Sequence, residues 1–136
     1  SQRRTTAMRA LAAHGAHATM LRVSVPLDQA VIEDFQAFWP FYLREHRAPL
    51  NRKLHVAGTS AALLTVLVAL VTLNPLLLPA ALLIGYGPAW IGHFFVEHNK
   101  PASWRYPWWS FRGDLRMVGL SLTGRLGAHL DAALGN

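Results

Sequence analysis

The sequence predicts an all-α protein, a small helical membrane protein with a central hydrophobic helical hairpin flanked by amphipathic helices. Three observations predict it. The 37 residues from Val56 to Gly92 contain no Asp, Glu, Lys or Arg, enough chain for two apolar helices. Asn74-Pro75 divides this block into two arms, Val56 to Leu73 and Leu76 to Val96, each near the roughly 17 to 25 residues needed to cross a bilayer. On either side, aromatic and apolar residues recur at three- and four-residue intervals, the period of an amphipathic helix. The chain of 136 residues has the length of one small domain. It reads as a basic N-terminal arm over 1–25 and a single helical domain over 26–134, with the hairpin at about 56–96.

Composition narrows the function classes. Thirteen basic residues against 7 acidic ones give a net charge of +6, which suits an anionic lipid surface, an acidic substrate or nucleic acid. The apolar block favours the first two, and no nucleic-acid module accompanies it, so no nucleic-acid partner is expected. With no cysteine there is no disulfide, thiolate metal site or cysteine nucleophile.

The elements follow in order. Residues 1–25 carry Arg3, Arg4, Arg9 and Arg22 and no acid, and His14 and His17 there read as exposed bystanders. Pro26 and Asp28 open the first amphipathic helix, with Asp28 as its cap and Glu33 and Asp34 placing negative charge near its start. Val31, Phe35, Phe38, Tyr42 and His46 form its face, and Pro40 inside the pattern predicts a kink or a break. Asn51, after Pro49, is the expected cap of the first apolar arm and puts His55 in its opening turns. Pro79, Gly85, Gly87 and Pro88 are expected to interrupt the second arm. The basic clusters Arg44 to Lys53 and Lys100 to Arg116 bracket the block and put both its ends on the cytoplasmic side. Trp104, Tyr106, Trp108, Trp109 and Phe111 suit a membrane interface belt or the mouth of an apolar pocket. Asp114 is the expected cap of a last helix with Leu115, Val118, Leu122, Leu126 and Leu130 on one face, broken or thinned near Gly124 and Gly127.

Candidate chemistry lies at the two ends of the block. His93 and Glu97 are four apart and on an α-helix would present a nitrogen and a carboxylate to one point. Such groups at the edge of a charge-free helix are costly unless paired or ligating. Joined to His46 and His55 across the hairpin they make a four-ligand set, with His98, on another side of the helix, as an alternative ligand. Imidazoles plus a carboxylate suit iron, zinc or manganese. The plainer readings are a His93–Glu97 bond that pins two helices, and interfacial histidines beside basic residues facing lipid headgroups. None of the serines sits in a nucleophile-elbow context.

Tyr42 through His46, Asn51 through Gly58, and Gly92-His93 through Glu97 with Pro101 resemble the Mpo1-like family, also called DUF962. The resemblance runs from about Phe35 to Met117 and rests on an ordered set: YxxxH, NxxxH with a following glycine, an apolar hairpin, and GHxxxE with a following proline. Pro101-Ala102-Ser103-Trp104 is similar to the short, bacterial-type form. The resemblance implies a multi-helix membrane protein and an iron(II)-dependent dioxygenase that shortens 2-hydroxy long-chain fatty acids by one carbon. It marks His46, His55, His93 and Glu97 as the functional set, with the three histidines as Fe(2+) ligands and Glu97 as a fourth ligand or as the group orienting His93. Tyr42 and Asn51 become substrate-side neighbours, and one of Arg47, Arg52 or Arg112 draws in the substrate carboxylate. The implied partners are the 2-hydroxy fatty acid, dioxygen and membrane lipids; a homodimer is compatible with the helix count. The implied location is an integral membrane one, the inner membrane in a bacterium or the endoplasmic reticulum in a eukaryote. Two other readings fit the residues: a noncatalytic membrane scaffold or lipid-binding protein, and a zinc-dependent lipid hydrolase.

Overall fold

The computed structural model describes residues 31–135, and a compact unit begins at Ile32. The basic arm over 1–25, His14, His17 and the expected cap at Asp28 lie outside the described residues. Among the described residues the fold is all-α, without strands.

Helix α1, Phe35–Glu45, begins later than the periodicity suggests. Its cap is Asp34, whose carboxylate accepts from the Ala37 amide at 2.7 Å, and Val31 to Glu33 are not helical. The helix runs as one piece through Pro40. The break expected there is absent, because the helix is held on its packed face by an aromatic cluster. Phe38, Trp39, Tyr42 and Leu43 are buried with Ala102, Tyr106 and Met117, and Phe35, Phe41 and Trp109 pack against them.

Helix α2, Pro49–Thr72, follows after a short bend, with Pro49 in its first turn where the missing amide proton costs nothing. Asn51 is therefore inside the helix rather than its cap. Leu73 ends α2 in the left-handed conformation at φ 52, and the Asn74 side chain accepts from the Leu76 amide at 3.1 Å, closing the expected turn. Helix α3, Leu77–Ile91, contains Pro88 and continues without interruption into a π-helical turn, Gly92–Glu97. A short 3₁₀ turn, Ala102–Trp104, leads to α4, Pro107–Leu122, and α5, Leu126–Leu134. Gly124 at φ +70 separates the last two, the break expected near that glycine. Asp114 is not a cap: α4 starts seven residues earlier, at Pro107.

Helices α2 and α3 form an antiparallel hairpin, and both, α3 with its π-turn, are long and apolar enough to cross a membrane. Away from the aromatic cluster no other described element covers the hairpin: Leu64, Leu70, Val71, Leu83 and the turn residues Leu73 and Leu76 are each 61% exposed or more. The protein's packed core is thus at one end, where α1, α4 and α5 gather around the ends of the hairpin helices.

Candidate metal centre

The bend between α1 and α2 brings His46 and His55 together. Arg52 reaches back from the first turn of α2, and one guanidinium nitrogen donates to the carbonyls of His46, at 2.9 Å, and Arg47. The first belongs to the residue that closes α1, where carbonyls lack helical partners. On the other side, Glu97 supplies what the start of α2 lacks. No side chain of its own element caps α2, and Glu97 Oε1 accepts from the Ala48 amide at 2.6 Å and from Asn51 Nδ2 at 3.3 Å. A carboxylate at a helix N-terminus is also favoured by the helix dipole. Glu97 thereby ties the end of α3 to the bend, and that contact places His93 opposite His46 and His55.

One ring nitrogen from each of His46, His55 and His93 lies within 4.8 Å of the other two, and all three residues are buried. The hydrogen bonds around them assign the tautomers. His46 Nδ1 is 2.6 Å from the Tyr42 carbonyl, and His55 Nδ1 is 3.0 Å from Asp114 Oδ1. His93 Nδ1 is 2.8 Å from Asn99 Oδ1. Asn99 is oriented by its amide nitrogen, which donates to the Glu45 carbonyl and carboxylate, both at 3.0 Å. Each Nδ1 therefore faces an acceptor and carries the proton, so each Nε2 carries a lone pair. His46 Nε2 and His55 Nε2 are 3.2 Å apart. Two lone pairs at that distance in a dry site repel unless a cation or a proton sits between them. Burial, and then the neighbouring His55 and His93 rings, hold the His46 pKa well below the ordinary imidazole value, which disfavours a proton on His46. The donor set fits a metal ion bound by three neutral imidazoles, each oriented through its second nitrogen.

Asp114 is the residue that the sequence reading missed in this role. Its Oδ1 also accepts from the Tyr42 hydroxyl, and the Tyr42 ring stacks on His46 with centroids 4.1 Å apart. Burial first, then the Asp114 charge and bond, hold the Tyr42 pKa well above its ordinary value, so Tyr42 remains a neutral donor. Ser110, Gly113, Met117 and Val118 form the buried stripe of α4, half-buried Asp114 falls in the same register, and a carboxylate there is the one signal that could have singled it out. Nothing local distinguishes Asn99. Asp114→Asn preserves shape and removes the charge that holds the His55 proton. It is expected to weaken metal binding by roughly 10–100-fold with the fold retained, measured by competition against a chelator.

Several expectations are corrected. Glu97 does not meet His93 at one point, because Gly92–Glu97 winds as a π-turn and four-residue spacing there no longer stacks two side chains as in an α-helix. His98 ends that turn in the left-handed conformation and is exposed on the other side of it. None of the three arginines expected at the carboxylate lines the cavity beside the histidines. Arg52 is engaged with the His46 and Arg47 carbonyls, Arg47 is exposed, and Arg112 lies 4.4 Å over the Phe35 ring. Asn51 is buried on Glu97 and does not line the cavity either, whereas Tyr42 does.

That cavity has a volume of about 590 Å³. Its polar end holds the three histidines, Tyr42, Asp114, Thr59, Ser103 and Ser110; from there it runs between α2 and α3 past Ala62, Gly85 and Ala81 to Val66 and Leu78. Leu63, Leu78 and Leu82 on its walls are themselves 43–61% exposed, so it opens on the apolar flank of the hairpin.

Fold and site together define an all-α protein with a three-histidine metal-binding arrangement at the head of an apolar cavity, a setting for metal-dependent chemistry on a fatty-acid-like molecule. The chain belongs to the 2-hydroxy-palmitic acid dioxygenase Mpo1-like family, whose model matches residues 32–126, well over half of the sequence. No curated protein and no solved structure matches it.

Proposed function

We propose that this protein is an iron(II)-dependent dioxygenase of a membrane that shortens 2-hydroxy long-chain fatty acids by one carbon. The observation that carries the reading is the convergence of three histidines, each with its Nδ1 against a protein acceptor, at the polar end of a cavity whose remaining walls are largely apolar. His46, His55 and His93 would hold the metal, and iron(II) bound there would supply the redox chemistry toward dioxygen that amino-acid side chains lack. The chain's own residues do the rest. Asp114, Asn99 and the Tyr42 carbonyl fix the imidazoles, Tyr42 stacks on His46, and the apolar walls exclude water from the reacting end.

Dimensions and charge support an acyl acid as substrate. From His55 to Val66 the cavity follows eleven residues of α2, about 16 Å at 1.5 Å per residue. One leaflet of a bilayer is about 15 Å deep, half of the ~30 Å hydrocarbon thickness. A divalent metal with three neutral ligands beside the Asp114 carboxylate retains one positive charge, which a single substrate carboxylate cancels in a low-dielectric site. The exposed apolar flanks of α2 and α3 face lipid in this reading, and the tail enters from the side.

Protein purified anaerobically in detergent, from the membrane fraction, is expected to carry near one iron per chain by elemental mass spectrometry and to consume oxygen on addition of a 2-hydroxy long-chain acid. Stoichiometric zinc without oxygen uptake would redirect the assignment to hydrolysis, and metal-free protein would leave the three histidines as helix packing in a scaffold. The cavity also sets a length limit. Val66→Trp, at its far end, is expected to shift the preferred acid toward shorter chains, each excluded methylene costing about 0.8 kcal/mol of binding. A series of acids of graded length would measure this, and an unchanged profile would show that the tail lies elsewhere.

A further inference from the structure

Three buried polar side-chain atoms among the described residues have no hydrogen-bond partner in the protein: Trp39 Nε1, Asn51 Oδ1 and Ser110 Oγ. Of the three, Ser110 is the one that lines the cavity, and it is 5% exposed. Hydroxyls on helices usually satisfy themselves on the carbonyl four residues back. This chain does so elsewhere, with Thr65 on Ala61 at 2.8 Å, Thr72 on Val68 at 2.7 Å and Thr123 on Gly119 at 2.9 Å. Ser110 does not. The Tyr106 carbonyl takes its amide at 2.9 Å, and the side chain is left without a partner, one helical turn from Asp114 on the same face of α4.

The phenol and the imidazole Nδ1 groups of the cavity are already committed. Tyr42 and His55 both point at Asp114 Oδ1, and each histidine has spent its Nδ1 proton on a protein acceptor. No lysine or arginine among the described residues lines the cavity. An oxygen-bearing head group lodged beside the histidines thus meets in the Ser110 hydroxyl a buried donor with unspent capacity. A serine kept there without a partner is costly where an alanine would not be, unless a ligand completes it.

We propose that the Ser110 hydroxyl is a substrate-binding group that hydrogen-bonds an oxygen of the acid's polar head, either the carboxylate or the 2-hydroxyl. The proposal rests on the reading of the cavity as a fatty-acid site. With the metal-loaded, full-length protein in detergent, the affinities of 2-hydroxyhexadecanoic acid and hexadecanoic acid are measured for wild type and Ser110→Ala, alongside metal content and the thermal midpoint.

The variant loses no hydrogen bond within the protein, so its metal content is expected to match wild type and its midpoint to be equal or higher. Binding is expected to weaken about tenfold. Loss on both acids places the bond on the carboxylate, and loss on the 2-hydroxy acid alone places it on the 2-hydroxyl; either supports the proposal. Equal affinities in variant and wild type overturn the role of Ser110 and leave the fatty-acid site standing. A drop in metal content assigns the serine to the metal centre and also overturns it. Wild type that binds neither acid overturns both this role and the site.

Discussion

Replacing His93 with alanine is expected to remove the metal and abolish turnover while the protein still reaches the membrane. His93 is 2% exposed and is the imidazole that the π-turn after α3 contributes to the group of three. Without it two imidazoles remain, and the loss of affinity should exceed the roughly 10–100-fold that follows from removing an outer partner such as Asp114. The effect on the fold is smaller. Asn99 Oδ1 loses its contact with the ring, but the Asn99 amide keeps both bonds to Glu45. Glu97 still caps α2 through Ala48. The two helices remain long and apolar enough to span a membrane, so the variant is expected in the same cell fraction as wild type. Metal content, oxygen uptake and fractionation of the same preparation separate these effects. Metal and turnover equal to wild type would refute the site, and loss of protein from the membrane would mean that His93 is principally structural.

Gly92→Ala should be the more damaging change to the fold, although it adds a single methyl group. Gly92, at the start of the π-turn, packs against Asn51 in the first turn of α2. A Cβ there would overlap Asn51 Oδ1 and stand 2.9 Å from Asn51 Cγ. Asn51 is 0% exposed and cannot swing into solvent; its amide also bonds Glu97 Oε1, the same atom that takes the Ala48 amide. The overlap therefore pushes on the joint that holds α3 against the α1–α2 bend. Alanine in a helix gains up to about 1 kcal/mol over glycine. Overpacking at a site with no room to relax costs about 1–3 kcal/mol, so the overlap wins. Thermal unfolding should show a lowered midpoint, with reduced metal content because His93 is displaced from its partners. The double variant Gly92→Ala with Asn51→Ala relieves the overlap and should recover part of the loss, a coupling that a double-mutant cycle reads directly. A Gly92→Ala protein as stable as wild type would show that α2 and α3 are not held as close as the structure has them.

How legible the centre is in the sequence depends on the range of the interaction that sets each part. The helices are legible because a helix is made of bonds four residues apart and its buried face repeats with the same period. The charge-free block, the Asn74-Pro75 turn and the break at Gly124 are likewise local. Histidines at the rim of an apolar block are conspicuous because polar groups there are costly, which marks His46, His55 and His93 before any contact is known.

What each polar group touches is not local. Tyr42 and Asp114 are 72 residues apart in sequence, His55 and Asp114 are 59 apart, and Ala48 and Glu97 are 49 apart. Four-residue spacing pairs Glu97 with His93 only if the backbone between them is α-helical, and here it is a π-turn. By itself the sequence determined the all-α class, the apolar hairpin and the identity of the three imidazoles. Only the tertiary structure decided that Glu97 serves a helix end, that Asp114 leaves its expected capping place to hold His55, and that Ser110 faces the cavity unpaired. The physical reason is that helix formation is governed by neighbours along the chain, whereas the orientation of a buried polar side chain is governed by whichever distant partner can satisfy it.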